Sequence, residues 1–224
     1  MSAFTRRRAE QVGGWRFRRA VVTPPGVDRA LFPPLDQPPE RPWRWRLLWL
    51  GRVVGPKGVE TAIRALGLLP QEALLEIVGP VTPTFRAKLE DRAASIGVAE
   101  RLRFARAPHA EVHTYYQASD ATLFTSAIAH EAFGLVPLEA MASACPVVCT
   151  GVGGSGEYCH DSVNCLRVPP EAPAALATAV QRLAAEPALR RRIVEGGLRT
   201  AAALTLERQA RAIERCLYAE IASR

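Results

Sequence analysis

The chain has 224 residues, of which 48% are hydrophobic and 23% charged, and its formal net charge is +7. This length and balance are typical of a globular domain that needs neither disulfides nor a metal to hold its core. The excess charge lies in residues 1–46, with ten arginines and four acidic residues, whereas residues 47–224 hold 19 basic and 18 acidic side chains. Nucleic-acid-binding domains usually carry a basic face on the folded body, so the charge pattern argues against nucleic acid as a partner.

No membrane-spanning or signal segment is recognisable in the sequence. The apolar runs are shorter than the ~18 residues of a membrane span, and the N-terminus lacks the apolar stretch of a signal peptide. Membrane association is therefore expected to be peripheral at most. The five cysteines include no Cys-x-x-Cys pair and no regular zinc-ligand spacing. We expect reduced, mostly buried thiols, no metal site and a cytoplasmic location.

The composition changes near residue 46. Before it, repeated Pro and Arg predict a linker or extended connection over residues 1–45, with one short strand at 20–24. After it, apolar runs alternate with helical periodicity. This alternation predicts a doubly wound, mostly parallel Rossmann-like α/β sheet of about six strands, covered on both faces.

The predicted elements follow in chain order. We expect strands at 46–51, 74–79, 102–104, 121–125, 146–150 and 165–168. We expect helices at 59–69, 84–95, 110–118, 134–143, 171–185, 187–199 and 205–222. The predicted organisation is a linker at 1–45, a ligand-binding domain at 46–204 and a C-terminal helix at 205–224.

The first candidate site segment is the glycine-containing loop at 51–58, GRVVGPKG, after the first predicted strand. Open α/β sheets bind ligands outside the carboxyl ends of their strands, so Arg52 and Lys57 are expected to face a ligand. A guanidinium and an ammonium on one loop suit a diphosphate. The alternative is a solvated loop with two ordinary surface charges. The spacing does not fit the phosphate-binding loop of nucleoside triphosphatases.

The second candidate segment is EAFGLVPLE, from Glu131 to Glu139. Gly134 and Leu135 are expected to open a helix, whose first N–H groups form a ready anion site. The two carboxylates can accept hydrogen bonds from sugar hydroxyls. One alternative is an amphipathic helix with two solvated glutamates. Another is the acid and nucleophile of a glycosidase, which is disfavoured because one glutamate lies inside a helix that faces the anion.

The third candidate segment, GVGGSG at 151–156, matches the glycine spacing of a dinucleotide-binding turn. Only eight residues separate Gly156 from Cys165, too few for a crossover helix, and no acidic residue ends a following strand. A nicotinamide-dependent oxidoreductase is therefore disfavoured. A glycine-rich turn beside a ligand fits the segment better.

Over about residues 24–205 the chain resembles the C-terminal, donor-binding domain of the family-4 retaining glycosyltransferases, which have the GT-B fold. The resemblance rests on an ordered series of segments: PPGVDRALF, GRVVGPKG, EIVG, YYQASDATLFTS, EAFGLVPLEAMAS, PVVCTGVGGSGE and DSVNCLRVPP. The most specific are the two glutamates separated by seven residues, with an internal Phe-Gly, and the preceding Gly-Arg…Lys-Gly loop.

The resemblance implies transfer of a sugar, with retention, from a nucleotide diphosphate-sugar to an acceptor, without a metal or other cofactor. It implies catalytic roles for Arg52 and Lys57, which would grip the donor diphosphate, and for Glu131, which would contact the transferred sugar. Because the family has no established protein nucleophile, catalysis would rest on stabilising the departing diphosphate.

The resemblance also implies the donor-binding residues. The backbone N–H groups around Phe133, Gly134 and Leu135 would bind phosphate, and Glu139 would accept hydrogen bonds from the ribose diol. The chain departs from the family at four positions that are often glycine: Arg106, Ala144, Ser162 and Cys165. If their backbones need a positive φ, each replacement costs ~1 kcal/mol. Arg106 is also expected close to the pocket for the nucleotide base.

The largest departure from the family is length, since an N-terminal acceptor-binding domain is missing from these 224 residues. We therefore expect a fragment or subunit that binds donor and is incomplete without an acceptor domain. The C-terminal helix carries an apolar stripe at helical spacing: Leu206, Ala210, Ile213, Leu217 and Ile221. This stripe could cap the domain's own core, pair with a second copy, or await a separately encoded acceptor domain. The rival function is a non-catalytic nucleotide-sugar-binding module or degenerate fragment.

Overall fold

The computed structural model of the chain describes residues 2–17, 20–34, 42–127 and 131–222. Its centre is one six-stranded sheet, and every pair of neighbouring strands is parallel. The strands are β1 (Arg46–Leu50), β2 (Leu74–Val78), β3 (Leu102–Ala105), β4 (Ala121–Phe124), β5 (Val147–Cys149) and β6 (Leu166–Arg167). The predicted parallel α/β architecture is confirmed.

Eight α-helices lie in the described part of the chain. They are α1 (Ala3–Gly13), α2 (Val59–Leu66), α3 (Pro83–Ser95), α4 (Val112–Ala118), α5 (Leu135–Ala142), α6 (Pro173–Ala185), α7 (Pro187–Ala203) and α8 (Leu206–Ala222). Four short 3₁₀ turns lie in the same described part of the chain, at 55–57, 99–101, 109–111 and 153–157. From β1 to α8 every predicted element is present, with its ends shifted by a few residues.

The central strand β1 shows why the sequence forms a doubly covered sheet. Leu47 and Trp49 pack into a core cluster with α2 and α6, whereas Leu48 packs into a second cluster with α4 and α5. Successive side chains of a strand point to opposite faces, so these two clusters cover the two faces of the sheet. An uninterrupted apolar run is the pattern that such burial requires.

The strand order β3-β2-β1-β4-β5-β6 places the reversal of the sheet between β1 and β4. The chain first builds outward from β1 through β2 and β3, then returns to the other side of β1 with β4. Open α/β sheets bind ligands in the crevice outside the carboxyl ends of the strands at such a reversal. The loops that follow β1 and β4 are the segments that carry Lys57 and Glu131.

The N-terminal segment differs from the prediction in two ways. No strand forms at 20–24, and an α-helix occupies Ala3–Gly13. Ser2 caps this helix by accepting a hydrogen bond from the N–H of Thr5, and Gly14 ends it with φ +63°. Arginine, alanine, glutamate and glutamine are good helix formers, so the cap, this composition and the final Gly-Gly were the available signal. The Pro-rich residues 35–41 lie outside the described residues.

The last helix, α8, has no buried residue. Four residues of its apolar stripe are 41–69% exposed. Capping of the domain's own core, one of the alternatives for this helix, is therefore wrong. Trp43 and Trp45 differ from it, because both pack against the core beneath α7, with the guanidinium of Arg190 5.4 Å from the Trp43 ring centroid.

Two of the four non-glycine positions do adopt the left-handed backbone. Ala144 and Ser162 both have φ +58°, whereas Arg106 and Cys165 are not among the described residues with positive φ. The strain expected of a side chain in that region therefore applies at the turn after α5 and in the loop before β6. It does not apply at Arg106 or Cys165, where the backbone is acceptable to any residue.

Candidate functional site

The loop after β1 is locked against the end of β4. Thr125 Oγ1 donates to the carbonyl oxygen of Gly58 at 2.7 Å and accepts from Trp49 Nε1 at 3.0 Å. Gly58 has φ +74°, and a Cβ on it would lie 1.9 Å from the carbonyl oxygen of Thr125. Only glycine permits this approach of the two backbones. The contact fixes the neighbouring Lys57 at the reversal of the sheet.

Lys57 and Glu131 meet at this point. The Lys57 ammonium contacts the Glu131 carboxylate, and the two side chains are only 23% and 11% exposed. Arg52 lies on the same loop with an exposed side chain. The structure thus brings two of the three predicted catalytic residues into direct contact. An ion pair so well shielded from water is stronger than one on an open surface.

Helix α5 begins beside this pair. Gly134 is its N-cap residue with φ +75°, and a Cβ there would lie 3.0 Å from the ring of Phe124 and 3.3 Å from Ser155. The hydroxyl of Tyr158 donates to the carbonyl of Gly134. The N–H groups of a first helical turn have no acceptor within the helix, so Leu135 and its neighbours present donors and the positive end of the helix dipole.

Phe133 acts through its ring as well as its backbone. The ring is 5% exposed and lies 4.8 Å, centroid to centroid, from the ring of Tyr158. Together with the hydroxyl contact at Gly134, this packing fixes the residues that precede α5. Tyr158 is a supporting residue that the sequence did not indicate, because no periodicity marks a single aromatic residue in a 3₁₀ turn and its flanks.

The glycine-rich turn at 151–156 packs directly against the backbone of the Glu131 segment. The N–H of Gly154 donates to the carbonyl oxygen of Glu131 at 2.7 Å. A Cβ on Gly153 would lie 2.4 Å from that same oxygen, and a Cβ on Gly154 would lie 2.1 Å from the carbonyl oxygen of Ala132. These glycines allow two backbones to touch. The turn continues as a 3₁₀ segment toward β6 and opens no crossover helix.

Glu139 has quite different surroundings from Glu131. It is 8% exposed, and the hydroxyl of Tyr116 on α4 donates to one of its carboxylate oxygens at 2.9 Å. Burial raises the pKa of Glu139, while the Tyr116 hydrogen bond and the nearby His109 act in the opposite direction. Tyr116 stands in the segment YYQASD that carried the family resemblance, but only the packing of α4 on α5 shows that it holds Glu139.

The N-terminal helix covers one side of the same segment. Ser2 Oγ donates to the carbonyl oxygen of Ala132 at 2.6 Å, and Glu157 accepts hydrogen bonds from the N–H groups of Ala3 and Phe4. A carboxylate at a helix start is the charge that the helix dipole favours. Glu157 therefore ties α1 to the turn that supports Glu131, a role that its sequence context did not indicate.

A cavity of about 260 Å³ opens at the ends of β2 and β3. Its lining residues are Gly79, Pro80, Val81, Arg86, Phe104, Ala105 and Arg106. The guanidinium of Arg86 lies 4.9 Å from the centroid of the Phe104 ring. Backbone hydrogen bonds from Gly51 to Val78 and from Val53 to Pro80 join this cavity to the loop of Arg52. Arg106, expected near the base pocket, therefore lines a cavity on the ligand-binding edge of the sheet.

Comparison with known proteins decides the family. The profile described as "Glycosyl transferases group 1" matches residues 36–200. The chain belongs to this family of glycosyl transferases. A D-inositol 3-phosphate glycosyltransferase of Geodermatophilus obscurus is 34% identical over 199 residues, which cover 81% of this chain and 43% of that protein.

Solved structures of similar proteins agree with the fold. Sucrose-phosphate synthase of Thermosynechococcus elongatus superposes with a TM-score of 0.86 and 27% identity, over 100% of this chain and 58% of that one. HepE of Anabaena, crystallised with UDP and glucose, superposes with a TM-score of 0.80 at 20% identity, over 91% of this chain and 58% of that one. The GT-B half predicted from the sequence is confirmed as the fold of this glycosyl transferase domain.

Two further properties of the chain concern its length relative to its relatives and the character of its helices. The chain spans about half the length of the curated relatives it matches. Within the described ranges, no helix of this glycosyl transferase domain is both long and apolar enough to cross a membrane.

Proposed function

We propose that this chain binds a nucleotide diphosphate-sugar and supplies the donor half of a retaining glycosyltransferase. The observation that carries the proposal is the Lys57–Glu131 ion pair beside the start of α5, at the reversal of the sheet. In this arrangement a cation, a carboxylate and a helix start lie together. Those three groups match the phosphates and hydroxyls of one sugar nucleotide.

Donor binding would exchange the partners of this ion pair. The diphosphate takes the Lys57 ammonium, with Arg52 and the first N–H groups of α5 as further donors. Glu131, released from Lys57, accepts hydrogen bonds from hydroxyls of the transferred sugar. The ion pair thus holds both side chains in place before the donor arrives. This preorganisation lowers the entropic cost of ordering them when the donor binds.

The same groups would drive the chemistry without a metal. When the bond between the anomeric carbon and the diphosphate oxygen breaks, negative charge grows on the leaving phosphate. Lys57, Arg52 and the positive end of α5 stabilise that charge, the electrostatic contribution that is usually the largest in enzyme catalysis. We propose that the acceptor attacks from the face that the diphosphate leaves, so the anomeric configuration is retained.

Glu139 would bind the ribose rather than the sugar. It lies within α5, with one carboxylate oxygen hydrogen-bonded to Tyr116. The other oxygen can accept from the ribose diol. In this arrangement Tyr116 is a positioning residue for Glu139, and Phe133, Gly134 and Leu135 place the phosphate-binding backbone between the two glutamates.

The acceptor would be held by protein outside this domain. Positioning an acceptor against the anomeric carbon is worth roughly 7–11 kcal/mol of the barrier. We propose that a separately encoded acceptor domain, or a second copy of the chain bound through α8, supplies that positioning. The free state of all five cysteines favours the cytoplasm as the compartment.

The proposal is tested by calorimetric titration of the chain with UDP-, GDP- and ADP-sugars and with the matching nucleosides. Lys57→Ala is expected to weaken binding of the best nucleotide by about 1.5–3 kcal/mol, the value of a hydrogen bond to a charged group, and to leave the nucleoside unchanged. The matched control is Lys88→Ala, since Lys88 is the only other lysine and lies exposed on α3. An equal loss for nucleoside and nucleotide would contradict a role at the diphosphate.

The two glutamates are expected to separate by ligand in the same titrations. Glu131→Gln should weaken only the sugar-bearing nucleotide, because its proposed partner is the sugar. Glu139→Gln should weaken the nucleoside diphosphate as much as the full donor, because its proposed partner is the ribose. The reverse pattern would exchange the two roles.

A transfer assay separates an enzyme from a binding module. The chain alone is expected to bind donor and to transfer sugar slowly or not at all, and an added acceptor domain should raise the rate. Rapid transfer by the monomeric chain would contradict the need for a partner. Donor binding with no transfer under any combination would support the non-catalytic alternative.

A further inference from the structure

Three of the five cysteines form a cluster behind the ligand-binding edge. The Sγ atoms of Cys149, Cys159 and Cys165 all lie within 4.8 Å of one another. Each of the three residues is 0% exposed. The sequence spacing indicated no metal site, because the three thiols come from separate segments that only the fold brings together.

The backbone around the cluster is held in place by hydrogen bonds. Cys149 ends β5, where it pairs with Arg167 of β6, and Cys165 immediately precedes β6. Cys159 donates its N–H to Ser155 at 2.9 Å. Between Cys159 and Cys165, the buried side chain of Asn164 accepts from the N–H of His160 and donates to the carbonyl of Tyr158, each at 2.7 Å. The three sulfur atoms therefore converge through a fixed framework.

The surroundings of the cluster favour negative charge on Cys149, whereas hydrogen bonding to Cys149 and burial raise the pKa values of Cys159 and Cys165. Hydrogen bonds from the thiols of Cys159 and Cys165 lower the pKa of Cys149. The guanidinium of Arg167 and the N–H of Gly151 act in the same direction. Arg167 also donates to the carbonyl oxygen of Gly151 at 3.2 Å, which holds the guanidinium near the cluster. The Arg167 guanidinium would therefore offset part of the negative charge that three thiolates carry around a bound cation.

The donor set narrows the identity of the cation. No histidine, aspartate or glutamate of the described residues joins the three thiols. Structural zinc sites use four protein ligands in a tetrahedron, and a fully buried cluster leaves no access for water as the fourth. Soft thiolate ligands select Cu(I), which accepts three of them.

We propose that Cys149, Cys159 and Cys165 form a three-thiolate site that binds one Cu(I) ion. Each thiol that bonds to copper releases its proton to solvent, and the oxidation state of copper and sulfur does not change. The ion would tie β5, β6 and the intervening segment together. That segment contains Gly153 and Gly154, which support the backbone of Glu131. Copper would therefore stabilise the base of the candidate donor site without contacting the donor.

The test is an anaerobic titration of the chain with Cu(I) against a competing chromogenic chelator. All variants carry Cys216→Ala, so that this partly exposed thiol does not compete. The reference chain is expected to bind one equivalent and to show a near-ultraviolet sulfur-to-copper charge-transfer band. Each of Cys149→Ala, Cys159→Ala and Cys165→Ala should weaken binding by at least about tenfold, the smallest loss typical when even an outer partner of a metal ligand is removed.

The matched control is Cys145→Ala, which removes another buried thiol, 3% exposed, from outside the cluster. It is expected to bind copper as tightly as the reference chain. Circular dichroism checks that each variant folds, and Cys→Ser variants replace any Ala variant that does not. Copper should raise the melting temperature of the reference and of Cys145→Ala, and should not raise that of the cluster variants.

Three results would overturn the proposal. One is copper binding by the three cluster variants as tight as that of the reference. Another is no binding by the reference chain in competition with the chelator, which would show that the thiols only pack as small apolar side chains. The third is tighter binding of Zn(II) than of Cu(I) at the same residues, which would show a fourth ligand and a different site.

Discussion

Helices α5 and α8 both carry apolar side chains, yet the surroundings of these side chains differ. In α5 every residue from 137 to 142 is buried, and the helix packs against α4, α7, β4 and β5. In α8 no residue is buried, and Leu217 and Ile221 are 60% and 69% exposed. The position of α5, and therefore of the groups at its start, is set by this domain's own core.

The contrast also separates two kinds of function. A helix fixed on several sides can hold N–H groups and a carboxylate in a geometry that changes little when a ligand arrives. A helix whose apolar stripe faces solvent gains no stability from burial of that stripe within this domain. An exposed apolar patch of this kind is typical of a surface that contacts another protein. The proposed donor site therefore belongs to α5, and the proposed partner contact to α8.

The largest effect is expected from a pair of substitutions that compares the buried helix α5 with the exposed helix α8. Leu138→Ala in α5 removes a side chain that is 0% exposed, so it should lower the free energy of unfolding by about 2–5 kcal/mol. Leu217→Ala in α8 makes the same chemical change at an exposed position and should stay within about 0.5 kcal/mol. Urea unfolding of the two variants measures the difference. A large loss for Leu217→Ala in the monomer would show that α8 packs on its own domain.

A smaller effect is expected at the contact of α4 with α5. Tyr116→Phe removes the hydrogen bond to Glu139 and should lower stability by about 1.5–3 kcal/mol, since the acceptor is a buried carboxylate. Tyr115→Phe, one residue earlier on α4, provides the control. If the two variants have equal stability in urea unfolding, the Tyr116 hydroxyl does not hold Glu139.

The ionisation of Glu139 predicts a pH dependence. Because burial raises its pKa in the folded chain, the folded state binds more protons than the unfolded state above the ordinary carboxyl pKa of about 4.3. The stability that comes from this group is therefore full below that pH and is lost as pH rises through the folded pKa. Glu139→Gln should remove this loss. Unfolding of both proteins across that pH range checks it, and parallel pH profiles would contradict it.

The smallest expected effect lies at the turn that follows α5. Ala144→Gly relieves the steric strain of a left-handed backbone, which costs about 1–2 kcal/mol. The greater conformational entropy of glycine in the unfolded chain offsets about 0.5–1 kcal/mol of that gain. We expect a net gain below about 1 kcal/mol. Ala94→Gly, at an exposed position in α3, should instead cost up to about 1 kcal/mol. Thermal unfolding that shows both changes destabilising would place no strain at Ala144.

Much of the fold could be predicted because its pattern is local. The uninterrupted apolar run of β1 and the helical spacing of α2 depend only on which neighbours are apolar, and both elements form where they were expected. The same reasoning failed at Ala3–Gly13, because the Pro-rich composition of residues 1–45 as a whole outweighed the cap and the good helix formers within that segment. For the candidate site, the chain order placed Lys57 and Glu131 after strands of one sheet edge, and the structure adds their contact.

The sequence by itself determined the parallel α/β architecture, the family and the segments that carry the candidate site. These follow from the apolar periodicity of the strands and helices and from the positions of the glycines, which can be read directly from the sequence. Only the tertiary structure decided which side chains touch across that order. Tyr116 meets Glu139 from a different helix, and Cys149 meets Cys159 and Cys165 from different segments. Such contacts depend on the packing of elements that are distant in sequence, so the spacing of residues along the chain does not predict them.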